Sequence, residues 1–209
     1  MGRRMKYQQE KALATRNQVL QAALTVFCRK GYSAATLADV AEAAQLSRGA
    51  IYWNFANKQD LYVTLVREYF ETNIHNVLLR RTERVSDPIA ALREYMFNYN
   101  FNVVANAEIR AFMALIRYKT EVKTLSAEIL AVQQKMDLLM KEEITVLVRA
   151  CRKNKLLRSD ASDSVIVMSI HSYLNGIEST WMFNPEIFPL KRHLKQLIDI
   201  FIDSILQKP

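Results

Sequence analysis

A chain of 209 residues, half of them apolar, is long enough to bury a substantial core in one or two domains. Four glycines, four prolines and the lack of alternating Val/Ile/Thr runs bounded by turn residues speak for an all-α protein. The formal charge is +8, and residues 1 to 60 hold nine Lys or Arg against four Asp or Glu, so basic density gathers at the N-terminal end, as a nucleic-acid footprint requires.

Residues 1–10 read as a flexible basic tail carrying Arg3, Arg4 and Lys6, the sharper alternative being an arm that adds phosphate or minor-groove contacts on DNA. From Lys11 to Lys30 the positions Val19, Leu20, Ala23, Leu24 and Phe27 recur at three- and four-residue steps, which predicts a helix that Gly31 stops. Thr36 with Asp39 forms a capping-box pattern ahead of a short helix whose apolar face is Leu37, Val40, Ala41 and Ala44. Ser47 then caps a second helix, in which Ile51 and Phe55 share a buried stripe while Arg48, Gly49, Ala50, Tyr52, Trp53 and Asn54 face out.

Two outward aromatics beside an arginine and small residues suit the major groove of DNA. There Gly49 and Ala50 let the backbone approach, Arg48 gives paired hydrogen bonds to guanine, and Tyr52 and Trp53 reach phosphate and thymine methyl. Asn57 reads as the cap of a third helix with Asp60 at its third position. Lys58 falls in the first turn, where its charge opposes the helix dipole unless a phosphate is near. The structural alternative is a helical hairpin whose aromatics pack on the next helix.

These residues resemble the tetracycline-repressor (TetR) family of bacterial transcriptional regulators. The resemblance rests on Lys30-Gly31-Tyr32, Ala35-Thr36, Ile51-Tyr52-Trp53, Phe55 and Asn57-Lys58, and SRGAIYW is similar to the AcrR-like branch that represses multidrug-efflux operons. It implies DNA contacts from Arg48, Gly49, Ala50, Tyr52, Trp53, Asn54 and Lys58, with Thr36 and Leu37 at the start of the preceding helix. Asn54 departs from the histidine common at that position. The expected organisation is a helix-turn-helix DNA-binding domain over residues 11–71 and a helical ligand-binding and dimerisation domain over 72–209.

The helix opened by Asn57 is expected to run past Ile74 and Leu78 to the charged stretch 80–84, linking the two domains. Ser86-Asp87-Pro88 starts another, Asn106-Ala107-Glu108 a short one, and 125–157 a long one ending in a basic cluster. Ser159-Asp160 or Ser162-Asp163 opens the next, with Gly176 allowing a close crossing, and a last helix follows Pro189. The apolar surface of these last two exceeds what one chain needs, which predicts a four-helix interface in a homodimer.

In the C-terminal part Phe97, Phe101, Phe112, Met113, Met136 and Met140 are large or adaptable, Asn100, His171, Asn175 and Glu178 are polar groups among them, and Glu178 and Glu108 are the candidate partners for a cationic ligand. The family resemblance favours reading this set as a chamber for a bulky amphipathic effector over an ordinary core. His75, His171 and His193 lack ligand spacing, and neither a nucleophile elbow nor a phosphate loop nor a cofactor fingerprint occurs, so no metal, no cofactor and no enzymatic activity are expected. Cys28 and Cys151 read as reduced residues, Cys28 in the core and Cys151 in the core or a pocket wall, a redox-sensing pair being the alternative. No stretch approaches the ~20 apolar residues of a membrane helix, and a cytoplasmic protein is expected. The competing readings are a regulator of lipid or other metabolism, and a helical small-molecule-binding protein without DNA binding.

Overall fold

The computed structural model describes residues 2–75, 87–120 and 126–207. Among these residues are nine α-helices and no strands: α1 (Gly2–Lys30), α2 (Leu37–Ala43), α3 (Arg48–Asn54), α4 (Lys58–Tyr69), α5 (Pro88–Ala105), α6 (Ala107–Tyr118), α7 (Ala127–Lys153), α8 (Asp163–Phe183) and α9 (Leu190–Ile205). A π-helical turn, Phe70–His75, continues α4. The expected continuation through Leu78 and 80–84, together with Ser86 and Leu125, lies outside the described residues.

The chain divides into two compact units, residues 1–69 with 111–133, and residues 70–110 with 134–209. Helices α6 and α7 therefore each contribute residues to both units, whereas the sequence reading puts a single boundary at residue 71.

The first unit is built on α1 and α4. Val19, Ala23, Phe27, Leu61, Tyr62 and Val66 are buried to within a few per cent, and Tyr62 packs edge to face on both Phe27 and Tyr32, which are tilted on each other, with centroids 4.7–5.8 Å apart. Residues 2–10, expected as a flexible tail, are helical and continue α1. No glycine or proline interrupts the run from residue 3 to Lys30, and Gln, Glu, Lys, Leu and Ala all favour helix. Gly31 ends α1 at φ +79°, the left-handed conformation that a side chain resists. Residues from the second half of the chain complete this unit: Cys28 donates to the Ala111 carbonyl (3.1 Å), Tyr32 N–H to Lys119 O (2.9 Å), and Tyr62 pairs with Thr120 (2.8 Å).

In the second unit α5 lies against α8 and α9, with Leu92, Met96, Ile170, Leu174, Leu194 and Ile198 fully buried. Arg93 of α5 forms an ion pair with Asp199 of α9, and Tyr173 of α8 donates to Leu197 O (2.8 Å) while its ring stacks on Phe201. Asp87 caps α5 by accepting from the Ile89 and Ala90 amides (3.1 and 3.0 Å), and Ser162 caps α8. The long helix, expected to reach Leu157, ends at Lys153 because Lys155 turns to φ +56°. Within the basic cluster there, Arg152 is bound into the fold. It donates to Asp163 (2.7 Å) and to the carbonyls of Arg158 (2.7 Å) and Ala161 (2.6 Å), fastening the turn between α7 and α8.

Gln45, in the turn between α2 and α3, also has positive φ, +55°. Gln45→Gly relieves about 1–2 kcal/mol of left-handed strain and adds back about half of that as unfolded-chain freedom. Urea unfolding is expected to show a net gain of about 0.5 kcal/mol; a loss would show that the Gln45 side chain holds the turn.

Candidate functional site

Two short helices meeting at a tight turn carry the candidate nucleic-acid surface. Thr36 and Asp39 close the capping box: Asp39 N–H donates to Thr36 Oγ1 (3.2 Å) and Thr36 N–H to Asp39 Oδ2 (3.0 Å). The Lys30 ammonium at 2.6 Å, then the Thr36 amide and hydroxyl, hold the Asp39 carboxyl down at about 2. Ser47 Oγ accepts from Ala50 N–H (3.2 Å) to start α3. Ile51 and Phe55 are buried and anchor α3 from behind.

That anchoring turns the other face out. Thr36, Arg48 and Gly49 are exposed, Leu37, Ala50 and Asn54 half-buried, Tyr52 59% exposed and Trp53 90% exposed. A Cβ built on Gly49 meets nothing closer than Ser47 Oγ at 3.8 Å, so the fold itself does not demand glycine there. With Tyr52 beside it, the exposed indole makes an aromatic patch of the kind that marks an interaction site. Asn54 spends one amide proton on Ala50 O (2.8 Å), leaving its other groups for an external contact.

Lys58 differs from the sequence reading. Its ammonium donates to three carbonyls, Tyr32 O (2.9 Å), Ser33 O (3.0 Å) and Ala35 O (2.9 Å), and lies 4.8 Å from the Tyr32 ring centroid. Three protons meet three acceptors, so a phosphate has to displace one of them to be contacted. Burial pulls the Lys58 pKa below its usual value. The unfavourable position at the start of α4 is thus compensated internally, by the loop that presents α2. Asn57 and Asp60 do cap α4: Asp60 N–H donates to Asn57 Oδ1 (2.9 Å) and Ala56 N–H to Asp60 Oδ2 (2.9 Å). Lys58→Met strands the three carbonyls and is expected to cost about 2 kcal/mol in thermal unfolding. Unchanged stability with weakened DNA binding would restore the phosphate role.

The nine residues expected around a ligand divide between the units. Phe112 and Met113 are buried in the first, where Phe112 stacks on Tyr69 with centroids 4.4 Å apart. In the second, Phe97 and Phe101 of α5 stack at 5.2 Å, and Met136 and Met140 line one buried stripe of α7. Asn175 and His171 belong to a polar chain: Tyr99 O–H donates to Asn175 Oδ1 (3.0 Å), the Asn175 amide donates to His171 O (2.9 Å), and His171 Nε2 lies 2.9 Å from Asp137 Oδ1. Glu178 is 1% exposed, whereas Glu108 faces solvent. Phe97 also lines an open groove of about 490 Å³ with Arg93, Glu94, Lys195 and Ile198.

Two groups lie outside the sequence-based set. Tyr95 shares the apolar stripe of α5, yet its buried hydroxyl has no hydrogen-bond partner among the described residues. Glu143 is buried on α7, and desolvation pushes its carboxyl up to about 7. Its negative charge in turn adds to the burial that raises Tyr95. Position 143 continues the Met136, Met140 stripe by three residues, so an acid in an apolar register is the signal that the sequence offers. Asn100 is 1% exposed with neither side-chain polar atom bonded among the described residues. Buried polar atoms in that state await a partner.

Residues 19–65 match the family described as bacterial regulatory proteins, tetR family, and residues 87–207 match the MAATS-type transcriptional repressor, C-terminal region. The chain is 29% identical over 201 residues to the HTH-type transcriptional regulator AcrR of Shigella flexneri, covering 96% of this chain and 93% of that one. It is 30% identical over 202 residues to the HTH-type transcriptional regulator TtgR of Pseudomonas putida, covering 96% and 95%. Among solved structures it is similar in fold to NalD, the secondary repressor of the MexAB-OprM multidrug efflux pump in Pseudomonas aeruginosa (TM-score 0.79, 22% identity, 96% and 100% covered). A complex of SmeT with triclosan is equally similar (TM-score 0.79, 22% identity, 93% of each chain covered). The capped helix-turn-helix with its outward aromatics and the two matches, which together take in both units, make this chain a member of the TetR family of bacterial transcriptional regulators.

Proposed function

We propose that the protein is a homodimeric repressor acting in the cytoplasm on a multidrug-efflux operon, released from its operator when a bulky amphipathic ligand enters the second unit. The observation that carries the DNA-binding half is α3 itself, a helix buried through Ile51 and Phe55 that leaves Arg48, Tyr52 and Trp53 in solvent. Arg48 reads a base edge, and Gly49 and Ala50 admit the backbone of α3 to the groove. Thr36, Leu37, Tyr52, Trp53 and Asn54 position the helix on phosphate and thymine methyl. Lys58 supports the surface from behind through the loop carbonyls.

Dimerisation supplies the second reader. On α8 and α9, Val165, Met168 and Ile200 are exposed, each by more than half. A Cβ at Gly176 meets nothing within 4 Å, so the close crossing expected there is left for a partner helix. Two copies of α3 set about 34–36 Å apart read a pseudo-palindromic operator.

The ligand half rests on the second unit's wall of Phe97, Phe101, Met136 and Met140, on the open polar atoms of Tyr95 and Asn100, and on the buried acids Glu143 and Glu178. Methionines and aromatics repack around varied shapes, and a cationic ligand favours ionisation of the buried Glu143 carboxyl. His171 and Asn175 hold α5, α7 and α8 in register through Tyr99 and Asp137. Phe112 and Met113 sit on the part of α6 that belongs to the first unit, so movement along α6 is felt at α1 and α4. Similarity in fold to two repressors of multidrug efflux pumps, NalD and SmeT, the latter known in complex with triclosan, supports an effector of that kind. The test is a reporter fused to the promoter of the neighbouring efflux genes. Deletion of the protein is expected to derepress it, and an unchanged reporter would remove the efflux assignment.

A further inference from the structure

The loop that presents α2 is held from two sides. Lys58 binds it through the carbonyls of Tyr32, Ser33 and Ala35, and Ala35 stands next to Thr36, the cap of α2. From the other side it meets residues just past the end of α6, far later in the chain. Tyr32 N–H donates to Lys119 O (2.9 Å), and Gly31 comes so near that a Cβ built on it lies 3.4 Å from the same oxygen.

Thr120 makes the deeper of the two contacts there. It is 6% exposed, and its Oγ1 donates to Leu115 O (2.8 Å), which spends its one proton and leaves its lone pairs to the Tyr62 hydroxyl 2.8 Å away. Tyr62 O–H is therefore the donor, and burial raises its pKa, so it keeps that proton. Anchored at its tip, the Tyr62 ring stands edge-on to Tyr32 with centroids 4.7 Å apart, and the Lys58 ammonium lies 4.8 Å from the Tyr32 centroid. A line of direct contacts thus runs from Thr120 through Tyr62, Tyr32 and Lys58 to the loop ahead of Thr36. All of it lies within the first unit.

We propose that Thr120 is a positioning residue for operator reading: by fixing Tyr62 it sets the seat of Tyr32 and Lys58, and with it the angle at which α2 and α3 are offered to the groove. Base edges are read through hydrogen bonds of strict geometry, whereas random DNA is held mainly by charge on its phosphates, so a small tilt of the reader costs specific binding first.

This role rests on the DNA-binding reading above, and the experiment separates the two. Full-length wild type, Thr120→Val, Thr120→Ser and Tyr62→Phe are titrated against an operator duplex enriched from a random pool and against a scrambled duplex, with melting temperatures taken alongside. Thr120→Val keeps the shape of the side chain and loses the hydroxyl, while Thr120→Ser keeps the hydroxyl. Thr120→Val is expected to weaken operator binding about tenfold, the scale of one buried hydrogen bond, and scrambled DNA less than about twofold. Thr120→Ser is expected to restore the wild-type values, and Tyr62→Phe to match Thr120→Val. The double variant T120V/Y62F is expected to be no weaker than either single one, because both remove the same bond. A Thr120→Val protein that melts lower but keeps the wild-type ratio of operator to scrambled affinity has lost a structural bond only, which overturns the role. Losses that add in the double variant, or a Thr120→Ser protein as weak as Thr120→Val, overturn it as well. If Thr120→Val does not fold, Tyr62→Phe decides, and a wild-type ratio there overturns the role equally. A wild type that prefers no duplex from the pool overturns the reader, and the positioning role with it.

Discussion

Arg48→Ala is expected to reduce sharply the preference for operator over random DNA while the protein stays folded and dimeric. Arg48 is exposed on a helix whose stability comes from Ser47, Ile51 and Phe55, so removing its side chain costs the fold nothing. A bidentate arginine–guanine contact discriminates by about 1–3 kcal/mol, and a dimer makes two, so the operator complex weakens by about 2–6 kcal/mol. Random DNA, held by charge alone, weakens by only a modest factor, and its salt slope falls by about one unit for each arginine removed. Fluorescence anisotropy with operator and scrambled duplexes checks this. Equal weakening on the two would make Arg48 a phosphate-binding residue.

The second large effect is expected at Glu143. Burial raises its carboxyl from 4.5 to about 7, so the folded protein holds this proton more tightly than the unfolded chain does. The contribution to stability is then whole below about pH 4.5, falls as pH rises towards 7, and above that the ionised carboxylate weighs against the fold. A shift of that size corresponds to about 3 kcal/mol. Glu143→Gln keeps the shape and removes the titration. Its stability relative to wild type, followed by urea unfolding, is expected to be near zero at pH 4.5 and to climb by about 2–3 kcal/mol by pH 8. A difference that stays flat across this range would show that the carboxyl does not titrate between the folded and unfolded states in this window.

The reader is legible in the sequence because its signals are local. Caps at Thr36, Ser47 and Asn57, the four-residue spacing of Ile51 and Phe55, and the outward Tyr52 and Trp53 depend on neighbours a few residues away, and each is realised as expected. The role of Lys58 is not legible, because its three acceptors lie 23–26 residues earlier in the chain. The N-terminal segment misleads for a different reason. Polar composition and terminal position suggest a flexible tail, but an uninterrupted run of helix formers continues whatever helix follows it. In the second unit the aromatic and methionine positions are visible as a composition, while their assignment to one side of a unit is not. Periodicity says which face of a helix is buried, not which neighbour buries it. The same limit hides Tyr95 and Glu143, whose significance is that burial leaves one hydroxyl unbonded among the described residues and raises the pKa of the other group.

The central claim is that ligand occupancy and operator affinity are coupled. Tetraphenylphosphonium, a lipophilic cation, and triclosan, a neutral phenol, are titrated into the wild-type dimer alone and into its complex with an operator duplex enriched from a random pool, and both equilibria are measured. The account predicts that at least one of them saturates the protein, weakens operator binding at least tenfold over the same concentration range, and is itself weakened by operator to the same degree. A ligand that binds the second unit tightly and leaves operator affinity unchanged would contradict it.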